Sequence, residues 1–81
     1  MARIAVLMAK LGYDMAAGRI AAWSRKVGDS VTRGDVIAEI ETDKATVEME
    51  AFVSGKLVEI VHPVGDEVPV GEVIGYIEDG A

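Results

Sequence analysis

Apolar and polar residues alternate along most of this chain, and Gly, Pro or Asp breaks the alternation every few positions. A period of two sends successive side chains to opposite faces of a strand. On this pattern we predict short strands over roughly Arg3–Met8, Arg19–Trp23, Ser30–Val31, Val36–Glu41, Thr46–Glu50, Lys56–Val61, Glu67–Val68 and Ile74–Glu78. No stretch keeps a helical period. The apolar residues expected inside are Ile4, Val6, Ile20, Trp23, Val31, Val36, Ile40, Val47, Met49, Leu57, Ile60, Val68, Val73 and Ile77.

The pattern also repeats. Val27 to Glu41 aligns with Val64 to Glu78 at an offset of 37 residues, with nine of fifteen positions identical, and upstream Gly18-Arg19-Ile20 matches Gly55-Lys56-Leu57. Each half reads as Gly, strand, Gly-Asp turn, short strand, Gly turn, strand. Gly34 and Gly71 fall where tight turns call for positive φ. Strands that each cover one face must close on one another, so the expected fold is all-β: a sandwich or a flattened barrel with quasi-twofold symmetry.

Composition narrows the function. With 81 residues the chain forms one domain, too small for a cleft between lobes. There is no Cys, which removes disulfides, thiolate nucleophiles and cysteine metal sites. Fourteen acidic against eight basic residues give a charge of −6, which argues against a nucleic-acid or basic membrane-binding surface. The start is strand-like and carries no leader pattern, so a cytoplasmic location is expected, or the mitochondrial matrix in a eukaryote.

Between the repeats, residues 39–50 alternate on both sides of a two-residue turn at Asp43-Lys44. In that register Ile40 opposes Val47 and Ala38 opposes Met49 inside, while Glu41 opposes Thr46 and Glu39 opposes Glu48 outside. Two readings of the acidic outer face stay open: a solvated edge, or a surface for a basic partner. A lysine at a turn is ordinarily a plain surface residue. Lys44, however, is the one cation among six carboxylates from Asp35 to Glu50, at the crest joining two repeats. An exposed amine titrating near about 10.4 is a poor base but an accessible attachment point.

At these residues the chain resembles the lipoyl domains of the acyltransferase component of 2-oxo acid dehydrogenase complexes. The likeness runs through Glu41-Thr-Asp-Lys-Ala45 and the Gly-Asp-x-Val-x-x-Gly-Asp half-repeat, and takes in Met8, Leu11, Gly12, Met15, Gly18, Trp23, Gly55 and Val70-Gly71. Two positions depart from the family pattern: Ala9, where Pro is common, and Ala17, where an acidic residue is.

The resemblance implies a flattened β-barrel (barrel-sandwich hybrid) of two four-stranded antiparallel sheets and covalent lipoic acid on Lys44. It implies that a lipoate ligase or lipoyl transferase reads Glu41, Asp43, Ala45 and Gly55. It places Leu11, Gly12, Tyr13, Asp14 and Met15 in a loop that a thiamine diphosphate-dependent 2-oxo acid decarboxylase recognises. The further partners it implies are the acyltransferase core and dihydrolipoamide dehydrogenase. The domain would be a monomeric, non-catalytic carrier over residues 1–79, part of a dihydrolipoamide acyltransferase, with 80–81 beginning a linker opposite Lys44.

Other readings are weaker. A biotinyl carrier typically has Met on both sides of its lysine, where this chain has Asp43 and Ala45. A glycine-cleavage carrier is longer. An unmodified interaction module would make Lys44 incidental, and an enzyme lacks a convergent acid and base. His62, before Pro63, reads as a surface turn residue, and Trp23 and Phe52 read as packing residues.

Overall fold

The computed structural model describes residues 2–10, 15–43 and 45–79. Eight strands form where the alternation predicts them: β1 (Arg3–Leu7), β2 (Ala17–Trp23), β3 (Ser30–Val31), β4 (Val36–Glu41), β5 (Thr46–Glu50), β6 (Gly55–Ile60), β7 (Glu67–Pro69) and β8 (Val73–Glu78). They make two antiparallel four-stranded sheets, ordered β1-β8-β6-β3 and β5-β4-β2-β7.

The repeat becomes a near-perfect exchange of one sheet for the other. Arg19↔Glu41 and Ile20↔Ile40 in β2/β4 recur 37 residues on as Lys56↔Glu78 and Leu57↔Ile77 in β6/β8. The short strands change sheets: β3 pairs with β6, and β7 with β2. Each half therefore completes the other's sheet, and neither half has a finished core alone.

Gly34 and Gly71 take φ of 95° and 93°, a conformation that costs an L side chain about 1–2 kcal/mol. Each donates its N–H to the end of an outer strand, Gly34 to Ala51 O and Gly71 to Met8 O, both at 2.9 Å.

Between the sheets lie Val6, Met8, Ile20, Val31, Ile37, Ala38, Ile40, Met49, Ala51, Leu57, Val68, Ile74 and Ile77. Four of these, Met8, Ile37, Ala51 and Ile74, are not among the residues expected inside, whereas Ala38 is inside opposite Met49 as the hairpin register predicts. Conversely, Ile4, Val36, Val47 and Val73 are only half-buried, while Trp23 and Ile60, also half-buried, pack against the core as expected. The cause in β4 is a register shift between Val36 and Ala38, which breaks strict alternation and turns Ile37 inward. Phe52 does not pack as expected either, being 50% exposed in the β5–β6 connection. His62 is more than a surface turn residue. It is part-buried, with its ring between Asp66 and Glu72.

Candidate functional site

The β4–β5 hairpin has the predicted register: Ala38↔Met49, Glu39↔Glu48, Ile40↔Val47 and Glu41↔Thr46. Beyond that last pair Thr42 and Ala45 close the turn. The Thr42 N–H donates to Ala45 O at 2.8 Å, and its hydroxyl donates to the same carbonyl at 2.8 Å. The Ala45 N–H donates back to Thr42 Oγ1 at 3.2 Å. Only Asp43 and Lys44 remain to span the crest. Asp43 and Ala45 are exposed, and Lys44 itself lies outside the described residues.

Support comes from beneath. A Cβ on Gly18 would stand 2.5 Å from Ile40 Cγ2 and 2.6 Å from Met15 Cε, so glycine here lets both side chains pack close against the β2 backbone. Of the expected recognition residues, Met15 is therefore a half-buried prop under the hairpin. Leu11, Gly12, Tyr13 and Asp14 lie outside the described residues. Beside the turn is a shallow depression of about 290 Å³ lined by Ala17, Gly18, Arg19, Glu41, Thr42, Asp43 and Glu67. Arg19 Nη1 stands 4.0 Å from Glu41 Oε1, both more than half exposed, so the pair adds little stability.

Glu41, Asp43 and Ala45 are thus gathered at one end, with Met15 below them. Gly55 is not. It begins β6 opposite Val31, and a Cβ there would run into Glu78 O and stand 2.9 Å from Glu78 C. β5 and residues 51–54 carry the chain from the hairpin to that far end. There the exchange of sheets reproduces the hairpin without its turn. Asp79 N–H donates to Ala2 O at 3.0 Å, as Thr42 does to Ala45, and Ala2 N–H donates to Asp79 Oδ1 at 2.9 Å, as Ala45 does to Thr42 Oγ1.

Sequence reasoning missed Thr42, Arg19 and Glu67 as members of this end. Thr42 was signalled by its place three residues before Ala45. Arg19 and Glu67 meet through the β2/β7 pairing, which no local pattern announces.

On the outer face Glu39 and Glu48 stand opposite each other, with Glu41 and Glu50 alongside. Among the described residues no group of His, Cys, Asp and Glu is arranged to hold a metal ion, and no helix is long and apolar enough to cross a membrane.

Residues 4–77 match the biotin/lipoyl family model described as "biotin-requiring enzyme". The dihydrolipoyllysine-residue acetyltransferase of the pyruvate dehydrogenase complex of Rickettsia bellii is 48% identical over 79 residues, covering 95% of this chain and 19% of that protein. The corresponding component of the acetoin cleaving system of Bacillus subtilis is 43% identical over 76 residues, covering 94% and 19%. The solution structure of the lipoyl domain of the 2-oxoglutarate dehydrogenase complex of Azotobacter vinelandii superposes with a TM-score of 0.72 at 35% identity, covering 98% of both chains. The chain spans about a fifth of the length of these curated relatives.

Proposed function

The chain belongs to the biotin/lipoyl-attachment family, and from that premise we propose that it is a lipoyl carrier domain whose Lys44 bears lipoic acid in amide linkage. The observation that carries this is the turn. Thr42 and Ala45 close it with three hydrogen bonds, and Asp43 and Ala45, the sequence neighbours of Lys44, are both exposed. The attached dithiolane supplies the redox and acyl-carrying chemistry. The protein's own residues offer the attachment point on a hydrogen-bonded hairpin whose strands and turn carry the carboxylates Glu39, Glu41, Asp43 and Glu48.

In this reading a lipoate ligase or lipoyl transferase reads Glu41, Asp43 and Ala45, and Gly55 acts through the fold by letting β6 approach β8. A 2-oxo acid decarboxylase meets the hairpin together with residues 11–15. The acyltransferase core and dihydrolipoamide dehydrogenase receive the acyl group and the electrons, in the cytoplasm or a mitochondrial matrix. A connection leaving at residues 80–81 would hold the domain at the end where Ala2 and Asp79 pair, and tethering keeps the arm at high effective concentration near each partner.

Incubation with lipoate, ATP and a lipoate ligase should add one lipoyl group, mapped by peptide mass to Lys44. Lys44→Arg should add none. Modification at another residue, or acceptance of biotin from a biotin ligase in place of lipoate, would overturn the reading.

A further inference from the structure

His62 sits where the second half of the fold departs from the first. Thirty-seven residues relate Arg25, Lys26, Asp29, Thr32 and Asp35 to His62, Pro63, Asp66, Pro69 and Glu72. In the first half, Asp29 Oδ2 accepts the Lys26 N–H and Asp35 Oδ2 accepts the Thr32 N–H, both at 2.9 Å. Arg25 Nη2 lies 3.6 Å from the same Asp35 oxygen.

Both prolines of the chain fall on the two donor positions of the second half, and proline has no N–H. The acids released from those bonds converge on one ring. His62 Nδ1 lies 3.0 Å from Asp66 Oδ2, and Nε2 lies 3.1 Å from Glu72 Oε2. A neutral imidazole has one N–H, so only the imidazolium donates to both carboxylates.

Glu72 belongs to the turn on which the segment between β1 and β2 hangs. Met8 N–H donates to Glu72 O at 2.8 Å, Gly71 N–H to Met8 O at 2.9 Å, and Val70 N–H to Ala16 O at 2.9 Å. The first half has the same clasp, with Ala51 N–H donating to Asp35 O at 2.8 Å, but its cation is a permanently charged arginine.

We propose that His62 is a positioning residue for decarboxylase recognition: bridged to Glu72, it seats the turn that holds both ends of the segment from Met8 to Ala16, and it releases that seat when it loses its proton. This rests on the reading above, in which that segment meets the decarboxylase.

Among the described residues, the charged groups facing the ring are Asp66 from its own loop and Glu72 from the turn before β8. From β2 comes Trp23, whose indole N–H donates to His62 O at 3.0 Å. The Asp66 hydrogen bond is the largest influence. With the charges of both acids and the Glu72 bond it lifts the imidazole above its ordinary value of 6.5, against a smaller pull downward from desolvation. The bridge is therefore complete in mild acid and opens as pH rises through that raised value.

An NMR titration of the chain from about pH 5.5 to about pH 9 reads both events. The Met8, Gly71 and Glu72 amides should shift with the midpoint of the His62 ring, while Gly34, Asp35 and Ala51 stay still. His62→Arg, which copies the first half, should hold those amides at their acid positions throughout, and His62→Gln at their alkaline positions.

In reductive acylation of the lipoylated chain by a thiamine diphosphate-dependent pyruvate decarboxylase component, KM should rise several-fold across the same midpoint with kcat unchanged. For His62→Arg it should stay flat. Amides that ignore the His62 titration, or a His62→Arg chain as impaired as His62→Gln, would overturn the proposal. A wild-type chain that accepts no lipoyl group would instead remove the carrier reading, and the amide titration would still decide the positioning.

Discussion

Replacing Gly55 by alanine separates a residue read by a ligase from one read by the fold. The new Cβ would stand 2.9 Å from Glu78 C and 3.0 Å from Asp79 Cα, with Glu78 O nearer still. All three are backbone atoms, and ordinary contact begins at 3.4 Å. The end of β8 must therefore move about half an ångström or more. It cannot do so alone, because Glu78 is paired both to Lys56 of β6 and to Arg3 of β1.

Such overpacking costs about 1–3 kcal/mol, against about 0.4–1 kcal/mol regained by stiffening the unfolded chain. A net loss of about 1–2 kcal/mol leaves an 81-residue domain, stable by about 4–12 kcal/mol, folded at room temperature. Its Tm should fall by about 4–8 °C per kcal/mol lost, measured by circular dichroism. Lipoylation of the folded chain should continue at the wild-type rate, because Gly55 lies at the end away from Asp43 and Ala45. An unchanged Tm would refute the steric argument. A lipoylation rate that fell while the chain stayed folded would show the ligase reading Gly55 directly.

Ile40 and Ile77 are fully buried equivalents, so Ile40→Ala and Ile77→Ala should each cost about 2–5 kcal/mol in urea unfolding and agree within about 1 kcal/mol. A large gap would break the energetic symmetry inferred from the backbone. Glu48→Ala should stabilise by about 0.2–1 kcal/mol by removing the like charge opposite Glu39. The same variant should slow reductive acylation, and an unchanged rate would leave the acidic face a matter of solvation. Stability should fall as pH rises through the raised His62 value, the contribution being fully present below the ordinary 6.5, and His62→Gln should flatten that slope in denaturant midpoints taken across the range.

What local pattern encodes was legible. The eight strands, the hairpin register and the positive-φ turns at Gly34 and Gly71 each depend on a few neighbouring residues, and each stands where expected. Pairings across the chain were not. That β3 joins β6 and β7 joins β2 is decided by tertiary closure, and with it the company of Arg19 and Glu67 beside the turn. Ile37 was misjudged because a bulge leaves no mark on an alternating string. His62 looked ordinary beside Pro63, yet the repeat alignment already set both prolines on the donor positions of Lys26 and Thr32. Its meaning needed the positions of Asp66 and Glu72, acids four and ten residues away in sequence.

The two sheets share one backbone plan, so differences between their outer faces are not demanded by the fold. β5 and β1 are equivalent edge strands. Where β5 carries Thr46, Glu48 and Glu50, β1 carries Arg3, Ala5 and Leu7; where β4 carries Glu39, β8 carries Tyr76, with Arg3 stacked 4.6 Å above its ring. An edge kept from aggregating by carboxylates would need them on both strands, since both expose the same unpaired groups. β1 has none, and Leu7 is 45% exposed there. The acids are thus concentrated on the sheet that ends in Asp43 and Ala45, and they include an unfavourable pair, Glu39 and Glu48, that the equivalent Tyr76 and Ala5 avoid. That asymmetry favours the basic-partner reading over the solvated-edge one, and it makes Glu48→Ala, which copies β1, the substitution that separates them.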